Sequence, residues 1–329
     1  MPNIAVETPD AGARARSVPV HVMVAVIFNH RDEVLVALRN RHSHQGGLWE
    51  FPGGKPEPGE PRLQALHREI HEETGLRLLA SHPLCRVEHR YADKHVLLDV
   101  HLVSRHAGEP SGKEGQRIEW RARQELLAAD FPAANARIVE LLRLPETITI
   151  TPDVDNESEF LELMRKLIAS GRELVQVRQT KLPPDRYRKR FMKAMELAAG
   201  SRTRLLFNNL PECFEFESPD CGFHASSRVL AELDRRPVPP GCLFSASCHS
   251  LAELRRAETL GADFVLLSPV AATGKYQASQ LLGWNGFRRL ADQVSLPVYA
   301  LGGMRPELAR LARAHGAFGV AGIRLFCGE

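Results

Sequence analysis

With 329 residues, 43% of them from the AVILMFWYC set and 25% charged, the chain has room for two domains or for one barrel with additions. Its 43 basic and 40 acidic residues leave a formal charge of +3, a balance without the electrostatic footprint of a nucleic-acid binder. No apolar run reaches membrane-spanning length, residues 1–19 lack a signal-peptide core, and the six cysteines show neither CxxC pairs nor Cys/His ligand spacing. These features exclude a membrane span, a zinc finger and a disulfide scaffold, and they predict a cytoplasmic enzyme with reduced thiols and a disordered segment over residues 1–17.

From Val20, "VHVMVAVIFNHRDEVLVALRNR" reads as a strand, a polar turn at Asn29–Asp32 and a second strand. "HVLLDVHLVSR" (95–105) predicts a further strand, and Ile138, Leu141 and Leu142 have helical spacing near the end of "RQELLAADFPAANARIVELLRL". The pattern changes at "PETIT", which reads as a linker. Beyond it strands alternate with helices: "TITIT", "ELVQVRQ", "RLLFNN", "CGFHAS", "LFSAS", "FVLLSP", "PVYALGG" and "GVAGIR" supply eight strands, with segments such as "EFLELMRKLIASG" between them. That count favours a small (β/α)8 barrel over a doubly wound open sheet.

Between the strands of the first half lies "GGKPEPGEPRLQALHREIHEETGL" (53–76). Glu60 and Pro61 suit a helix start and Gly75 a helix stop. At roughly 100° per residue, Glu72 and Glu73 stand about 60° and 40° to either side of Glu69, with Leu63, Leu66 and Ile70 on an adjoining stripe. Like charges this close repel. Two readings remain open on spacing alone: a solvated acidic face, or a site for a hard divalent cation such as Mg²⁺ or Mn²⁺, whose charge would offset the repulsion.

The wider spacing decides between them. Gly54, five residues, Glu60, seven residues, then Arg68-Glu69-Ile70-His71-Glu72-Glu73-Thr74-Gly75-Leu76 resembles the Nudix box at every fixed position. The resemblance implies an α/β/α sandwich with a mixed sheet over residues 18–144, a linker at 145–147, and hydrolysis of a nucleoside diphosphate linked to another moiety. It also implies that Glu69, Glu72, Glu73 and the Gly53 carbonyl hold Mg²⁺ or Mn²⁺. Glu69 would help to activate water, Arg68 orient the glutamates, and Glu60 support the loop. "LWEFPGGK", "GKEGQ" and "DFPAAN" extend the resemblance to the MutT type. By that match Glu114 is a further metal ligand, and Arg39, Phe51, Lys55 and Asn135 contact the substrate. Without the resemblance, Glu114 and Arg39 read equally as surface charges and Asn135 as a helix cap.

Asn135 bears on which base is recognised. A side-chain amide presents donor and acceptor in one plane. Oxidation of guanine at C8 turns N7 into an N–H donor while O6 stays an acceptor, so an amide can pair with both positions of the oxidised base. The expected substrate is therefore the nucleoside triphosphate 8-oxo-dGTP, cleaved to the monophosphate and pyrophosphate, an activity of nucleotide-pool sanitation and DNA repair. Two alternatives stay open: hydrolysis of thiamine diphosphate analogues or oxidised intermediates, and a nucleotide-binding regulator with the barrel as sensor.

The second half, about residues 147–329, resembles thiamine phosphate synthases and TenI-type relatives through "QVRQTK", "FNN", "GFHASS", "SASCHS", "GADFVLLSP", "YALGGM" and "GVAGIR". The resemblance implies a TIM-type barrel over 148–329, with a thiamine-type phosphate ligand near Arg178, Gly302, Gly303, Ala321 and Gly322. Its departures argue against synthase chemistry. Thr180 stands where the family has Lys, Asn209 and Leu210 replace an acid and Arg, "HASSRVL" shows no magnesium acid, and the pyrophosphate loop is reduced to Thr273 and Lys275.

Overall fold

The computed structural model describes residues 18–41, 45–209, 220–239, 241–272 and 280–323. Residues 1–17, Leu210, Cys213, Thr273, Lys275 and Cys327 lie outside them. Strand β1 (Val20–Ile27) runs parallel to β6 (His95–Ala107). The glycine strand β4 (Gly53–Gly54) pairs with β1, and β5 (Arg77–Arg90) with β6, both antiparallel, in the order β4-β1-β6-β5. A second, antiparallel sheet joins β3 (Trp49–Glu50), β2 (Glu33–Leu38) and β7 (Ile118–Ala122).

Successive side chains of a strand point to opposite faces, and both faces of β1 are covered. Met23, Ala25 and Ile27 pack with Ala65, Leu66 and Ile70 of helix α1 (Arg62–Thr74). Val24 and Val26 pack with Ile138, Leu141 and Leu142 of helix α2 (Ala136–Leu142). A strand buried on both sides has no polar face to alternate with, which is why "VMVAVI" is continuous. One expectation is corrected: Leu63 is 52% exposed. It sits in the first turn of α1, and Ala65 takes its place in the core.

The second half closes. Strands β8 (Thr147–Ile150), β9 (Leu174–Val177), β10 (Arg204–Asn208), β11 (Cys221–Ala225), β12 (Phe244–Cys248), β13 (Phe264–Leu267), β14 (Val298–Leu301) and β15 (Gly319–Gly322) are parallel neighbours in turn. β15 returns to β8 with Val320 opposite Thr147, so the sheet is a barrel and not an open one. Helices α3 (Glu157–Ala169), α4 (Pro184–Ala198), α5 (Ser227–Glu232), α6 (Leu251–Thr259), α7 (Gly283–Ala291) and α8 (Ala309–Ala314) pack outside. Asn156, Ser226 and Ser250 cap the N-termini of α3, α5 and α6 with their side chains, satisfying N–H groups that helices otherwise leave open. Cys85, Cys221, Cys242 and Cys248 are buried free thiols. Among the described residues no helix is long and apolar enough to cross a membrane.

The two halves share a core. Ile148, Ile150, Leu174, Leu206, Phe264, Leu266 and Tyr299 of the barrel strands belong to one apolar cluster with Leu141, Leu142 and Leu144, and through them with Val24 and Val26 of β1. Each such side chain, fully buried, contributes about 1.5–3 kcal/mol. Polar contacts ring the seam. Arg137 pairs with Asp263, just before β13, and His82 Nδ1 lies 2.8 Å from Asp292, before β14. Arg313, at the end of α8, reaches Asp32 at 3.1 Å and Glu146 at 2.7 Å. The connection is itself built in: Tyr299 Oη donates to the Pro145 carbonyl (2.6 Å) and Val320 N–H to that of Glu146 (2.9 Å). These contacts lie at the N-terminal ends of the barrel strands. The C-terminal rim, where barrels of this type carry their ligand sites, therefore faces away from the first half.

Inside the barrel, His224 is fully buried between Ser245 Oγ and Ser247 Oγ, each 2.8 Å from a ring nitrogen. Burial pushes its pKa down to about 3, against roughly 6.5 in an unfolded chain. The unfolded state thus binds the proton more readily, and stability held above about pH 6.5 is lost as the pH falls toward 3. We predict a loss of roughly 2 kcal/mol between pH 7 and pH 5 from this residue alone. Urea midpoints at the two pH values should separate more in the wild type than in His224→Gln; equal separation would refute it.

Candidate functional site

The glutamate helix is entered from Pro61 and left through Gly75, whose left-handed φ of 73° lets its N–H return to the His71 carbonyl at 2.9 Å. Opposite it runs the Gly53–Gly54 strand, in which a Cβ at Gly53 would meet backbone and one at Gly54 would force the Glu69 side chain to move. A Cβ on Gly53 would lie 2.1 Å from the Met23 carbonyl oxygen of β1. One on Gly54 would lie 2.2 Å from the carboxylate carbon of Glu69. The strand is squeezed between β1 on one side and the glutamate on the other.

The glutamates do not share one face equally. The Glu69 side chain is 18% exposed and Glu72 is 54% exposed. The Glu73 carboxylate turns inward and accepts the Gly53 N–H at 2.9 Å. Burial, reinforced by the charges of Glu50, Glu114 and Glu69, lifts its pKa to about 8, with only the Gly53 N–H opposing. Arg68 binds both oxygens of Glu60 at 2.9 Å, reaches Glu69 and Glu72 at 3.0 Å, and donates to the Lys55 carbonyl at 3.2 Å. The Glu60 carboxyl is held below its usual range by Arg68 and by the Glu57 N–H. A planar fork of donors suits this clamp in a way a lysine would not.

The loop carrying Glu114 is tied to the end of α1. Ser111 N–H donates to the Thr74 carbonyl and Lys113 N–H to that of Glu73, both at 2.9 Å, and the Gln116 side chain adds a bond to Glu73 O at 3.0 Å. Glu114 is exposed at its tip, within electrostatic reach of Glu73 and Glu50. Glu50 did not stand out in the sequence reading. It pairs with Arg39, and burial raises its pKa against that pairing. Its one signal was being the only charge in "LWEFPGG".

Among the described residues no group of three or more His, Cys, Asp or Glu meets closely enough to hold a metal in this conformation. The donor set still suits one. Glu50, Glu60, Glu69, Glu72, Glu73 and Glu114 outnumber Arg39 and Arg68, and Glu73, raised first by burial, is raised further by Glu50, Glu114 and Glu69. Carboxylate and carbonyl oxygens are the donors that hard divalent cations take.

On the other side of the Glu50–Gly54 segment, Phe51 is buried and stacked on Phe131 with ring centres 5.1 Å apart. Tyr91 Oη accepts the Ala134 N–H at 3.1 Å, and Lys94 Nζ lies 5.4 Å from the Tyr91 ring centre. Asn135 follows directly. It occupies the N-cap position of α2, but its backbone is helical (φ −87°, ψ −12°) and its side chain makes no capping bond, so the cap reading fails. Lys55 is exposed beyond the glycines.

In the barrel, Arg178 is 3.1 Å from Asp153, which also receives Thr180 Oγ1 at 2.9 Å. Gly302 and Gly303 follow β14 with left-handed φ of 96° and 67°, and Ala321 and Gly322 are the buried last residues of β15. The polar groups between them and β12 are an amide pair, Gln176 to Asn208 at 2.8 Å, and the His224–serine set.

The chain thus joins an acid-rich helix facing a glycine strand to a closed parallel barrel. Residues 23–141 match the NUDIX domain model and residues 147–326 the model described as thiamine monophosphate synthase. The chain belongs to the Nudix family over its first part and to the thiamine monophosphate synthase family over its second. It is 38% identical over 124 residues to the 8-oxo-dGTP diphosphatase of Escherichia coli (strain K12), a match covering 38% of this chain and 96% of that protein. It is 34% identical over 116 residues to the CTP pyrophosphohydrolase of the same organism, covering 35% and 84%. The putative thiamine-phosphate synthase 2 of Aquifex aeolicus (strain VF5) is 30% identical over 185 residues, covering 56% of this chain and 99% of that protein.

Because Gly54 leaves no room for a Cβ beside Glu69, Gly54→Ala should displace that carboxylate and lower nucleotide hydrolysis about 10²-fold. Far-ultraviolet circular dichroism should stay unchanged. Activity within a factor of about two of wild type would show that the contact has no catalytic weight.

Proposed function

We propose that the chain is a divalent-metal-dependent pyrophosphohydrolase that converts 8-oxo-dGTP to 8-oxo-dGMP and pyrophosphate. The observation that carries this reading is one short segment with chemistry on both sides: Gly53 and Gly54 face the glutamates, and Phe51 leads through Phe131 to an Asn135 side chain released from capping. The E. coli relative named 8-oxo-dGTP diphosphatase supports the same substrate.

Mg²⁺ or Mn²⁺, held by Glu69, Glu72, Glu73, Glu114 and the Gly53 carbonyl, would neutralise phosphate charge and lower the pKa of a bound water. Glu69, pressed against Gly54, takes the proton of the attacking water. Attack falls on the β-phosphorus; the bond from that phosphorus to the α–β bridging oxygen breaks, and the oxygen departs with the monophosphate while pyrophosphate carries the attacking one. Arg68 keeps Glu69 and Glu72 from swinging apart, and Arg39 brings a guanidinium to the phosphate chain beside Glu50. The Asn135 amide donates to O6 and accepts from N7–H of the oxidised base. Guanine, lacking that N–H, would leave the amide oxygen facing another acceptor.

For the barrel we propose binding of a thiamine-type phosphate ligand without synthase activity. The amides, hydroxyls and neutral histidine at its described upper layer offer little to a magnesium-bound pyrophosphate.

Purified protein should show a kcat/KM for 8-oxo-dGTP about 10⁴ above that for dGTP. Asn135→Ala should erase most of that ratio while dGTP turnover changes little. Glu72→Gln, Glu73→Gln or excess chelator should abolish turnover of both. Equal kcat/KM for the two nucleotides would reject the substrate, and turnover in chelator the metal. For the barrel, the full chain should bind thiamine monophosphate and form none from a pyrimidine diphosphate and a thiazole phosphate; product formation would reverse that reading.

A further inference from the structure

The seam between the halves holds a cavity of about 930 Å³ that neither site uses. It is bounded by α2 and β5 on one side and by segments flanking the N-terminal ends of β10, β12, β13 and β14 on the other. Its volume is in the range of small-ligand sites. Leu141, Leu144, Leu243 and Leu296 give it apolar walls.

Its charges do not cancel. Arg137 and Arg236 both line the cavity, and both are spent on Asp263, which also accepts the Phe244 N–H. Glu258 accepts the Ser295 N–H, and Glu140 faces Arg137 at 3.3 Å. Arg86, also on the wall, lies 3.5 Å from Asp99, which leaves Arg143 and Arg204. Arg143, exposed at the cavity mouth, donates to the Leu126 carbonyl at 2.9 Å and pairs with no carboxylate among the described residues. The Arg204 guanidinium makes neither a hydrogen bond nor an ion pair with the described residues, although it is half-buried. Burial lowers its pKa, with Tyr299, Glu173, Asp220 and Asp263 only partly opposing. A guanidinium partly withdrawn from water without a partner is costly. Apolar walls beside two uncompensated guanidiniums describe a receptor for an anion with an organic body.

We propose that this junction cavity binds a small phosphorylated molecule, its phosphate on Arg204 and Arg143 and its body against the leucines. The ligand touches both halves at once, so its occupancy is read by each.

Calorimetric titration of the full chain at constant ionic strength, with chelator present to silence metal-dependent phosphate binding elsewhere, tests this. The probes are inorganic phosphate, pyrophosphate and dGMP. At least one should bind saturably. Tighter dGMP than phosphate identifies a nucleotide, and equal affinity identifies a free oxyanion; either supports the site. Arg204→Gln and Arg143→Gln should each weaken binding at least about tenfold. In wild type, where no variant need fold, binding should protect amides of residues 137–144 and 241–244 from hydrogen exchange. The proposal is overturned if none of the probes binds, if both variants bind as wild type does, or if protection falls only at residues 50–54 or on the barrel's upper rim.

Discussion

The rest of the structure depends on how the lower mouth of the barrel is closed. Strands of four or five residues bury Ile148, Leu174, Leu206, Phe264 and Tyr299 inward, and the layer nearest the N-terminal ends needs an apolar cover. Here Leu141 and Leu142 of α2 provide it, with Leu144 just past the helix end, and α2 also covers β1 of the first half. One seven-residue helix therefore completes two cores. The tether that follows has no freedom, because its carbonyls are hydrogen-bonded to Tyr299 and Val320. The arginines around the seam follow from this: the rim is polar, it is closed by a neighbour, and some of its charges end up facing a space instead of bulk water.

The glutamate site works by a related economy of space. The glycine strand admits the Glu69 carboxylate because it has no side chain of its own. Arg68 converts mutual repulsion among Glu60, Glu69 and Glu72 into a clamp. Glu73 is half-buried with a single backbone donor, and that burial, with the nearby acids adding to it, raises its pKa. A site arranged in this way concentrates carboxylates next to glycine backbone that a ligand can approach closely.

Much of this was legible in the sequence, and the parts that were not share a cause. The eight barrel strands and α1 with its Gly75 stop lie close to where periodicity puts them, because each has one pattern and one partner surface. β5 gave no such signal. Its pairing with β6 shifts register around Ala80 and again between Pro83 and Cys85, and each bulge breaks the two-residue alternation on which strand reading relies. Leu63 matched the apolar stripe of α1 but lies in its first turn, a fact of tertiary placement that spacing cannot carry. Asn135 occupied a cap position without capping, and Glu50 acquired its importance from neighbours far along the chain, Glu73 and Glu114. Arg204 and Arg143 are ordinary residues in the sequence. Their pairing, or its lack, is set by tertiary neighbours that the sequence does not display.

The docking of the first half on the N-terminal rim also settles how the two sites can be related. The barrel axis is filled by stacked side chains, Tyr299, Phe264 and Leu206 among them, and is a solid core with no bore. A molecule released from the glutamate site cannot pass through it to the upper mouth. It must leave into bulk solvent, where it is diluted and must find the far end by diffusion like any other metabolite. Joining two enzymatic folds on one chain has here fixed their orientation and their stoichiometry, and it has placed no shared passage along the barrel axis.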